Sequence, residues 1–323
     1  MKAVAGPLAW TLAVTAALAT VLAQLDRLSL GQAGWAFDIF AHFPKHWAVA
    51  SLLAIAVAVV MRRWGLALMA TAALAANLTS LAFTPPYATP KPAPPGAQLI
   101  RIVSANVHGS PEALKQLAAL AHAYNATLVS VYEAPMLSGA DLHEIFPDAQ
   151  RIQLVDRSPD RHTLSKRMLV VAMTEIGPVS VKRVIAGKRA VLGYALPSGI
   201  QIIAAHPVAP DSPAGMHDRD LMLSSLHSDV EAGHPFVLVG DFNTTPFASI
   251  FRTLPGVRAG DPRLEATFPA QAPWLGVPID NLMFGGGLEL VEHHIGTDIG
   301  SDHLPVFTTL ALPLPRPVGP PHR

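Results

Sequence analysis

The chain has 323 residues, with 23 Lys/Arg balanced by 23 Asp/Glu and no cysteine. Without thiols, disulfides, zinc–thiolate centres and cysteine nucleophiles are excluded, and the length allows one large domain or two ordinary ones. The zero net charge hides an uneven split: residues 1–83 carry only Lys2, Asp26, Arg27, Asp38, Lys45, Arg62 and Arg63, whereas from residue 100 onward 17 Lys/Arg face 21 Asp/Glu, a difference of −4.

Three apolar segments open the chain. "PLAWTLAVTAALATVLAQL" (7–25) has the ~20 residues that a bilayer crossing needs. "WAVASLLAIAVAVVM" (47–61) is short on its own, and "WGLALMATAALAANLTSLAF" (64–83) is full length. Arg62 and Arg63 separate the last two, which predicts a tight helical hairpin with its turn on the positive side. By the positive-inside rule Lys2, Arg62 and Arg63 face the cytoplasm, and about three spans then place everything after residue 84 outside it. The other reading of the first segment is a cleaved leader, since "ALATVLAQ" offers small residues near a cut. Two further apolar segments favour an anchor, and either reading exports the body.

Residues 84–98, "TPPYATPKPAPPGAQ", are dominated by proline, glycine and alanine. Such a stretch is expected to form neither helix nor strand and to act as a semi-rigid spacer of about 40 Å at most. The predicted organisation is therefore an anchor over 1–83, a linker over 84–98, a body over 99–315 and a tail over 316–323.

Within the body, "QLIRIVSANV" (98–107) is a strand ending at Asn106, and Ser110–Pro111 reads as the N-cap and first turn of a helix continuing to Tyr124. "TLVSVY" (127–132) is a buried strand ending before Glu133. "RMLVVAM", "VSVKRVI" and "RAVLGYAL" predict further strands, the last turning through Pro197–Ser198–Gly199 into "IQIIAAH" (200–206) as a hairpin. "MHDRDLMLSSLHSDVEAG" (216–233) reads as a helix stopped by Gly233. "FVLVG" (236–240), "PIDNLMF" (278–284) and "LPVFTTLAL" (304–312) complete the strands. Many strands and few helices predict an α+β two-sheet sandwich rather than an alternating βαβ fold.

Asn106, Glu133, His206 and Asp241 each emerge at the end of an apolar strand, Asp280 stands at the start of one, and Asp302–His303 precede the last. Taken singly, each is an ordinary turn-former or cap. Together they supply hard oxygen ligands for Mg²⁺, a histidine with a carboxylate to orient it, and amide and imidazole donors for phosphoryl oxygens. That is the equipment of metal-assisted phosphoester hydrolysis.

"IVSANVHG", "SVYEAP", "AAHPVAP", "LVGDFNTTP", "PIDNLMF" and "GSDHLPV" follow the order and spacing of the endonuclease/exonuclease/phosphatase superfamily. Across residues 100–312 the chain resembles this deoxyribonuclease I-like group, and in particular its bacterial membrane-anchored type. The resemblance implies a four-layer α/β/β/α sandwich behind the membrane-spanning helical region, located as a multi-pass protein of the inner membrane with the body on the periplasmic side. It also implies roles. Glu133, helped by Asn106 and Asp302, resembles the metal-binding set for Mg²⁺ or Mn²⁺. His303 resembles the water-activating histidine oriented by Asp280. Asp241 and Asn243 resemble the pair that positions nucleophile and phosphoryl oxygens, and His206 resembles a phosphate-contacting residue near the leaving group. Two departures stand out: Tyr132 replaces the usual glutamine before the glutamate, and "TLSKRM" only loosely echoes the pattern of the middle strands.

Other polar residues have plainer readings. Adjacent residues of a strand point to opposite faces, so His293–His294 reads as surface histidines rather than a metal site. His108 is balanced between the cleft and the surface, and Asp298 serves a turn. Lys182, Arg183, Lys188 and Arg189 read as a solvated hairpin, with contact to a polyanion as the alternative.

The function so predicted is a membrane-tethered, divalent-metal-dependent phosphoester hydrolase, nuclease-like in its chemistry. The alternative substrate is a lipid head group or small phosphoester, because −4 is the wrong sign for strong nonspecific duplex binding. The rival of another class is a non-catalytic binding module of the same fold.

Overall fold

Apolar alternation decides which face of each strand is buried, and in the central strands of the body both faces are. In β2 (Gln98–Asn106), Ile100 and Ile102 point one way, while Val103 and Ala105 point the other. In β9 (Phe236–Asp241), Val237 and Val239 share the core of Ile100 and Ile102, and Leu238 faces outward. Two sheets therefore stack back to back with a helical layer outside each, giving four layers. The computed structural model describes residues 2–28, 30–157, 166–185 and 189–313. Lys188, the Thr163–Ser165 part of "TLSKRM" and the 316–323 tail lie outside the described residues.

One sheet has six strands: β12 (Glu289–Ile295), β13 (Val306–Leu312), β2, β3 (Leu128–Tyr132), β5 (Arg167–Ala172) and β4 (Arg151–Asp156), in that order. Its outer face is covered by α5 (Pro111–Ala123) and α6 (Gly139–Ile145), through Leu114, Leu117, Ala121 and Leu142. The other sheet has seven: β1 (Tyr87–Ala88), β10 (Val257–Ala259), β11 (Asp280–Gly285), β9, β8 (Gln201–Ala205), β7 (Arg189–Ala195) and β6 (Ser180–Ile185). Met222 and Leu223 of α7 (Pro213–Ser225), with Leu226 and Phe251, cover it. Truncating a core residue such as Leu117 to alanine costs about 2–5 kcal/mol in such a setting.

The expected α+β sandwich and the β7–β8 hairpin are present. So is the helix at Ser110, whose hydroxyl accepts from Ala113 N at 3.1 Å. The 216–233 helix is corrected. It starts at Ser212–Pro213, capped by the Ser212 hydroxyl on Gly215 N, and ends at Ser225. There the Ser224 and Ser225 hydroxyls bond back to the carbonyls of Asp220 and Met222, and the chain tightens into a 3₁₀ turn over Leu226–Asp229. Serine hydroxyls compete with the helical ladder in this way, so Gly233 falls in a later turn. Strands β4 and β12 escape the hydrophobic pattern because both are edges with polar, half-exposed residues.

Residues 84–98 are also corrected, since they do not run free. Arg258 N donates to Pro86 O, Gly260 N to Ala88 O, and Lys91 N to Leu290 O. Tyr87–Ala88 pairs in parallel with β10, and Arg263 lies over the Tyr87 ring. Proline lacks the N–H but keeps its carbonyl. A proline-rich segment can therefore line a sheet edge, here accepting at Pro86 and Ala88 and donating at Lys91.

The amino-terminal region is a bundle of α1 (Lys2–Leu25), α3 (Pro44–Val60) and α4 (Trp64–Ala82), with the short α2 (Trp35–Ala41) between α1 and α3. Ala9, Ala13, Ala54, Ala58, Ala67 and Ala70 form its seam; small residues let apolar helices approach closely. Asn77 donates to Thr20 across that seam at 2.7 Å. Among the described residues two stretches, Ala9–Leu28 and Trp64–Ala82, are long and apolar enough to cross a membrane; α3 qualifies only together with the bent segment before it.

The segment between the long helices grips the sandwich. Asp26 accepts from Ser249 N, Trp35 donates to Pro210 O, Arg219 pairs with Asp38, His42 meets Thr245, Lys45 donates to Arg263 O, and His46 lies 2.9 Å from Leu275 O.

Candidate active site

The parity that places Val237 and Val239 in the inter-sheet core also turns Asp241 inward, at the end of β9. His206 follows β8 in the same phase as Ile202 and Ala204, and Asp280 opens β11 directly opposite Asp241. Asn106 ends β2 in phase with Ile100 and Ile102. The 302–303 pair reaches the same edge because β13 runs antiparallel to β2, with Val306 opposite Ser104. Six separated stretches thus bring their polar ends to one edge, between the two sheets.

There the side chains form a connected array. His303 Nδ1 lies 2.8 Å from Asp280 Oδ2. On the ring's other side, Nε2 lies 3.9 Å from Asp241 Oδ2. The same Asp241 oxygen accepts from Asn106 Nδ2 at 3.1 Å and faces His206 Nε2 at 3.4 Å. His206 Nε2 is also 3.8 Å from Glu133 Oε1. Asp241 Oδ1 accepts from Asn243 N at 3.0 Å, and Asn243 Nδ2 donates to Pro207 O. At the mouth, His108 Nδ1 stands 3.4 Å from Glu133 Oε2 and 3.7 Å from Asp302 Oδ2. All eight residues singled out in the sequence are therefore in one place, and His108 faces the cleft with them.

Electrostatics follow from burial and neighbours. Burial alone would push the Asp241 carboxyl up, but the His303 charge, with the bonds from His206 and Asn106, holds it well below the usual carboxylate range. Burial disfavours charge on His303, yet the Asp280 and Asp241 carboxylates override it and push its pKa up to about 10. Asp280 is pushed up by burial; His303 opposes this and the Asp241 charge adds to it.

Several supporting residues were not legible in the sequence. Arg189 is buried and its guanidinium lies 3.0 Å from His206 Nδ1. Arginine only donates, so in the neutral ring Nδ1 is the acceptor and Nε2–H points toward Asp241 and Glu133. Of its basic neighbours, Arg183 pairs instead with Asp229. Thr267 accepts from Asp280 N, Phe268 packs its ring 4.9 Å from His303, and the Ser301 hydroxyl donates to Asn106 O. Tyr132 is not a ligand. Its hydroxyl crosses between the sheets to Val239 O at 3.0 Å, and its ring lies 5.6 Å from that of His206. Asp298 accepts from Gly300 N in the expected turn. His293 is corrected: its side chain is buried against Thr308 and Glu265, and only His294 is exposed, stacked on Phe307.

The backbone carries strain here. His108, Glu133 and Asn243 are three of the five non-glycine residues with positive φ among the described residues; such conformations gather at functional sites. Gly240 has no alternative, because a Cβ there would lie 2.0 Å from Ala205 O.

The profile of the Endonuclease/Exonuclease/phosphatase family matches residues 103–303, well over half of the chain. The chain belongs to this family. Solved structures agree on the fold. An endonuclease/exonuclease/phosphatase from Beutenbergia cavernae is 20% identical, with 67% of this chain and 72% of that one covered at a TM-score of 0.55. One from Bacteroides vulgatus is 13% identical over 67% and 100%, at 0.52. An AP endonuclease from Archaeoglobus fulgidus is 14% identical over 65% and 98%, at 0.52. No curated protein sequence matches the chain.

The family implies a divalent metal, and the donors fit one. Among the described residues, Asp241, Asp280 and His303 each offer a donor atom within 4.8 Å of the others. In that trio, however, His303 is already committed to Asp280. Glu133 and Asp302 present carboxylates on the open side, their side chains 16% and 35% exposed, with His108 drawn between them. Two hard oxygens suit a hard divalent cation. Asn106 Oδ1 already accepts His108 N at 2.9 Å and has one lone pair left for an ion.

Proposed function

We propose that this family member is a divalent-metal-dependent phosphoester hydrolase, held at a membrane by α1, α3 and α4 with its catalytic edge on the extracytoplasmic side. The observation that carries the reading is the His303–Asp280 pair at 2.8 Å, set beside the Asp241 oxygen that Asn106 and His206 share.

In this reading Glu133 and Asp302, with Asn106, hold Mg²⁺ or Mn²⁺, which when bound supplies a Lewis acid for a phosphoryl oxygen. Asp280 fixes His303 through Nδ1; in the neutral ring Nε2 takes a proton from the attacking water, and the Asp280 and Asp241 carboxylates stabilise the imidazolium so formed. Asp241, its backbone partner Asn243 and the amide of Asn106 hold the water and the phosphoryl oxygens in line. His206, with Nε2–H aimed into the site by Arg189, donates a hydrogen bond beside the leaving oxygen. The water oxygen bonds to phosphorus, the ester P–O bond breaks, the departing oxygen takes a proton from solvent water, and His303 returns its proton to solvent. The sidedness rests on Lys2, Arg62 and Arg63 at the far end of the bundle.

The test is hydrolysis of bis(p-nitrophenyl) phosphate and p-nitrophenyl phosphate by the full-length protein in lipid nanodiscs with Mg²⁺, Mn²⁺ or EDTA. Activity is expected to vanish in EDTA, and His303→Ala or Glu133→Gln is expected to lower kcat/KM by about 10²-fold or more. A folded wild-type protein that binds Mg²⁺ but cleaves neither compound would reduce the domain to a binding module. Steep loss of binding with salt would mark a nucleic-acid substrate; little change would mark a lipid or small phosphoester.

A further inference from the structure

The sandwich presents its catalytic edge to the helical bundle. Three loops carrying site residues are gripped by the segment between α1 and the start of α3. The loop after His206 is held at Pro210 by Trp35, the loop of Asn243 at Thr245 by His42, and the loop before Asp280 at Leu275 by His46. The bundle marks its own boundary at this end. Phe40, Phe43 and Trp47 cluster where α3 begins, with ring centroids 5.6 Å apart for Phe40–Trp47 and 6.5 Å for Phe43–Trp47. Exposed Trp64 stands at the opposite end. An α3 of 17 residues is about 25 Å long, close to a hydrocarbon core, and aromatic rings at both ends are the usual mark of its two interfaces.

The 261–277 loop lies at that first boundary and has two different sides. One side seats the catalytic pair: Thr267 accepts Asp280 N, Phe268 packs on His303, and Ala270 N donates to Asp302 O. The other side is tied to Lys45 and His46 and exposes large apolar side chains, with Leu264 86%, Trp274 79% and Leu275 47% exposed. Exposed Leu28, Leu30 and Phe83 continue this collar onto the ends of α1 and α4. Large apolar side chains at the level where the spans leave the bilayer have one continuous solvent to enter, which is the lipid itself.

We propose that the 261–277 loop rests in the lipid interface through Leu264, Trp274 and Leu275, and that the site acts on a phosphoester carried by a lipid of the same membrane. This rests on the hydrolase and anchor readings above. It narrows the substrate to one that reaches the catalytic edge along the bilayer surface.

The cysteine-free chain allows a direct test. Trp274→Cys, Leu264→Cys and, as a distant control, Lys115→Cys are spin-labelled in full-length protein in phosphatidylcholine/phosphatidylglycerol nanodiscs. Labels at 274 and 264 are expected to be open to oxygen and shielded from a water-soluble nickel chelate, with the reverse at 115. A label at 274 reached by nickel, or shielded from both reagents as by a protein partner, overturns the proposal. In parallel, Leu264→Asp and Trp274→Asp are expected to lower hydrolysis of phospholipid in those discs by about tenfold while leaving soluble bis(p-nitrophenyl) phosphate unchanged. Equal effects on both substrates, no effect on either, or cleavage of duplex DNA without cleavage of lipid phosphoesters also overturns it. If wild-type protein cleaves no phosphoester, the hydrolase reading itself has failed; if the protein washes off membranes in alkaline carbonate, the anchor reading has failed.

Discussion

Arg219 donates two hydrogen bonds to Asp38, at 2.7 and 3.0 Å, with both side chains sealed from solvent. The same guanidinium reaches Asn243 O at 3.4 Å, and His42, one turn from Asp38, meets the Thr245 hydroxyl at 3.1 Å. A residue between the apolar helices thereby braces the turn that carries Asn243. Replacing Asp38 with alanine takes two hydrogen bonds from a buried guanidinium and leaves it Asp220 and Asn243 O as partners, a change that costs about 1–3 kcal/mol. Asp38→Ala is expected to lower the melting temperature of the full-length protein in detergent, and a fragment starting at residue 99 is expected to be less stable for the same reason. Differential scanning fluorimetry checks both; unchanged melting would show that the brace carries no load.

Asp280 orients His303 through Nδ1, so Asp280→Asn is expected to lower kcat by about 10²-fold while KM changes little. The asparagine amide preserves the shape but loses the charge. Steady-state kinetics on a soluble phosphodiester decides it, and a loss confined to KM would assign Asp280 to substrate binding instead.

Arg189 sets the hydrogen on His206. Arg189→Met removes that donor, and kcat is expected to drop by about tenfold, partly restored in Arg189→Lys, which still donates. A melting curve unchanged alongside the lower kcat separates positioning from folding. Identical kinetics in both variants would mean that His206 needs no such help.

Glu133→Gln and Asp302→Asn are expected to raise the Mg²⁺ concentration for half-maximal activity by roughly tenfold or more. Asp298→Asn, in the neighbouring turn, is expected not to. A Mg²⁺ titration of initial rates distinguishes them.

The buried Arg258–Glu265–His293 cluster makes stability depend on acid. Arg258 lies 2.7 Å from Glu265 Oε2, and His293 Nε2 lies 3.3 Å from Oε1. Burial pushes the Glu265 carboxyl up, but the Arg258 guanidinium and the His293 ring override this and hold it below its ordinary value of 4.5. A depressed carboxyl stabilises the fold above its unfolded value, and that stability is lost as pH falls through the folded value. Glu265→Gln is therefore expected to flatten the decline of melting temperature below pH 4.5. An unchanged profile would place the acid-sensitive group elsewhere.

Much of the candidate site was legible because strand parity and strand ends are local properties. Once Ile100 and Ile102 face inward, Asn106 must as well, and the same phase carries Val237 and Val239 to Asp241. What escaped depends on distant partners. Arg189 reads as one charge in a basic hairpin until β7 and β8 pair and bring it to His206. His293 reads as a surface residue until Glu265 arrives from another loop. The proline-rich stretch reads as a spacer because composition records its missing donors but not the neighbours that use its carbonyls. Asp38 lies almost two hundred residues from Arg219, and nothing near either one announces the other.

The hydroxyl of Tyr132 fastens β3 to β9 across the interior. Glu133, Asp302 and His303 ride on one half of that joint, and His206, Asp241 and Asp280 on the other. Neither half alone holds a complete set, so the array exists only where the two sheets meet. Its geometry is therefore a property of the joint, held in register around the tyrosine dowel.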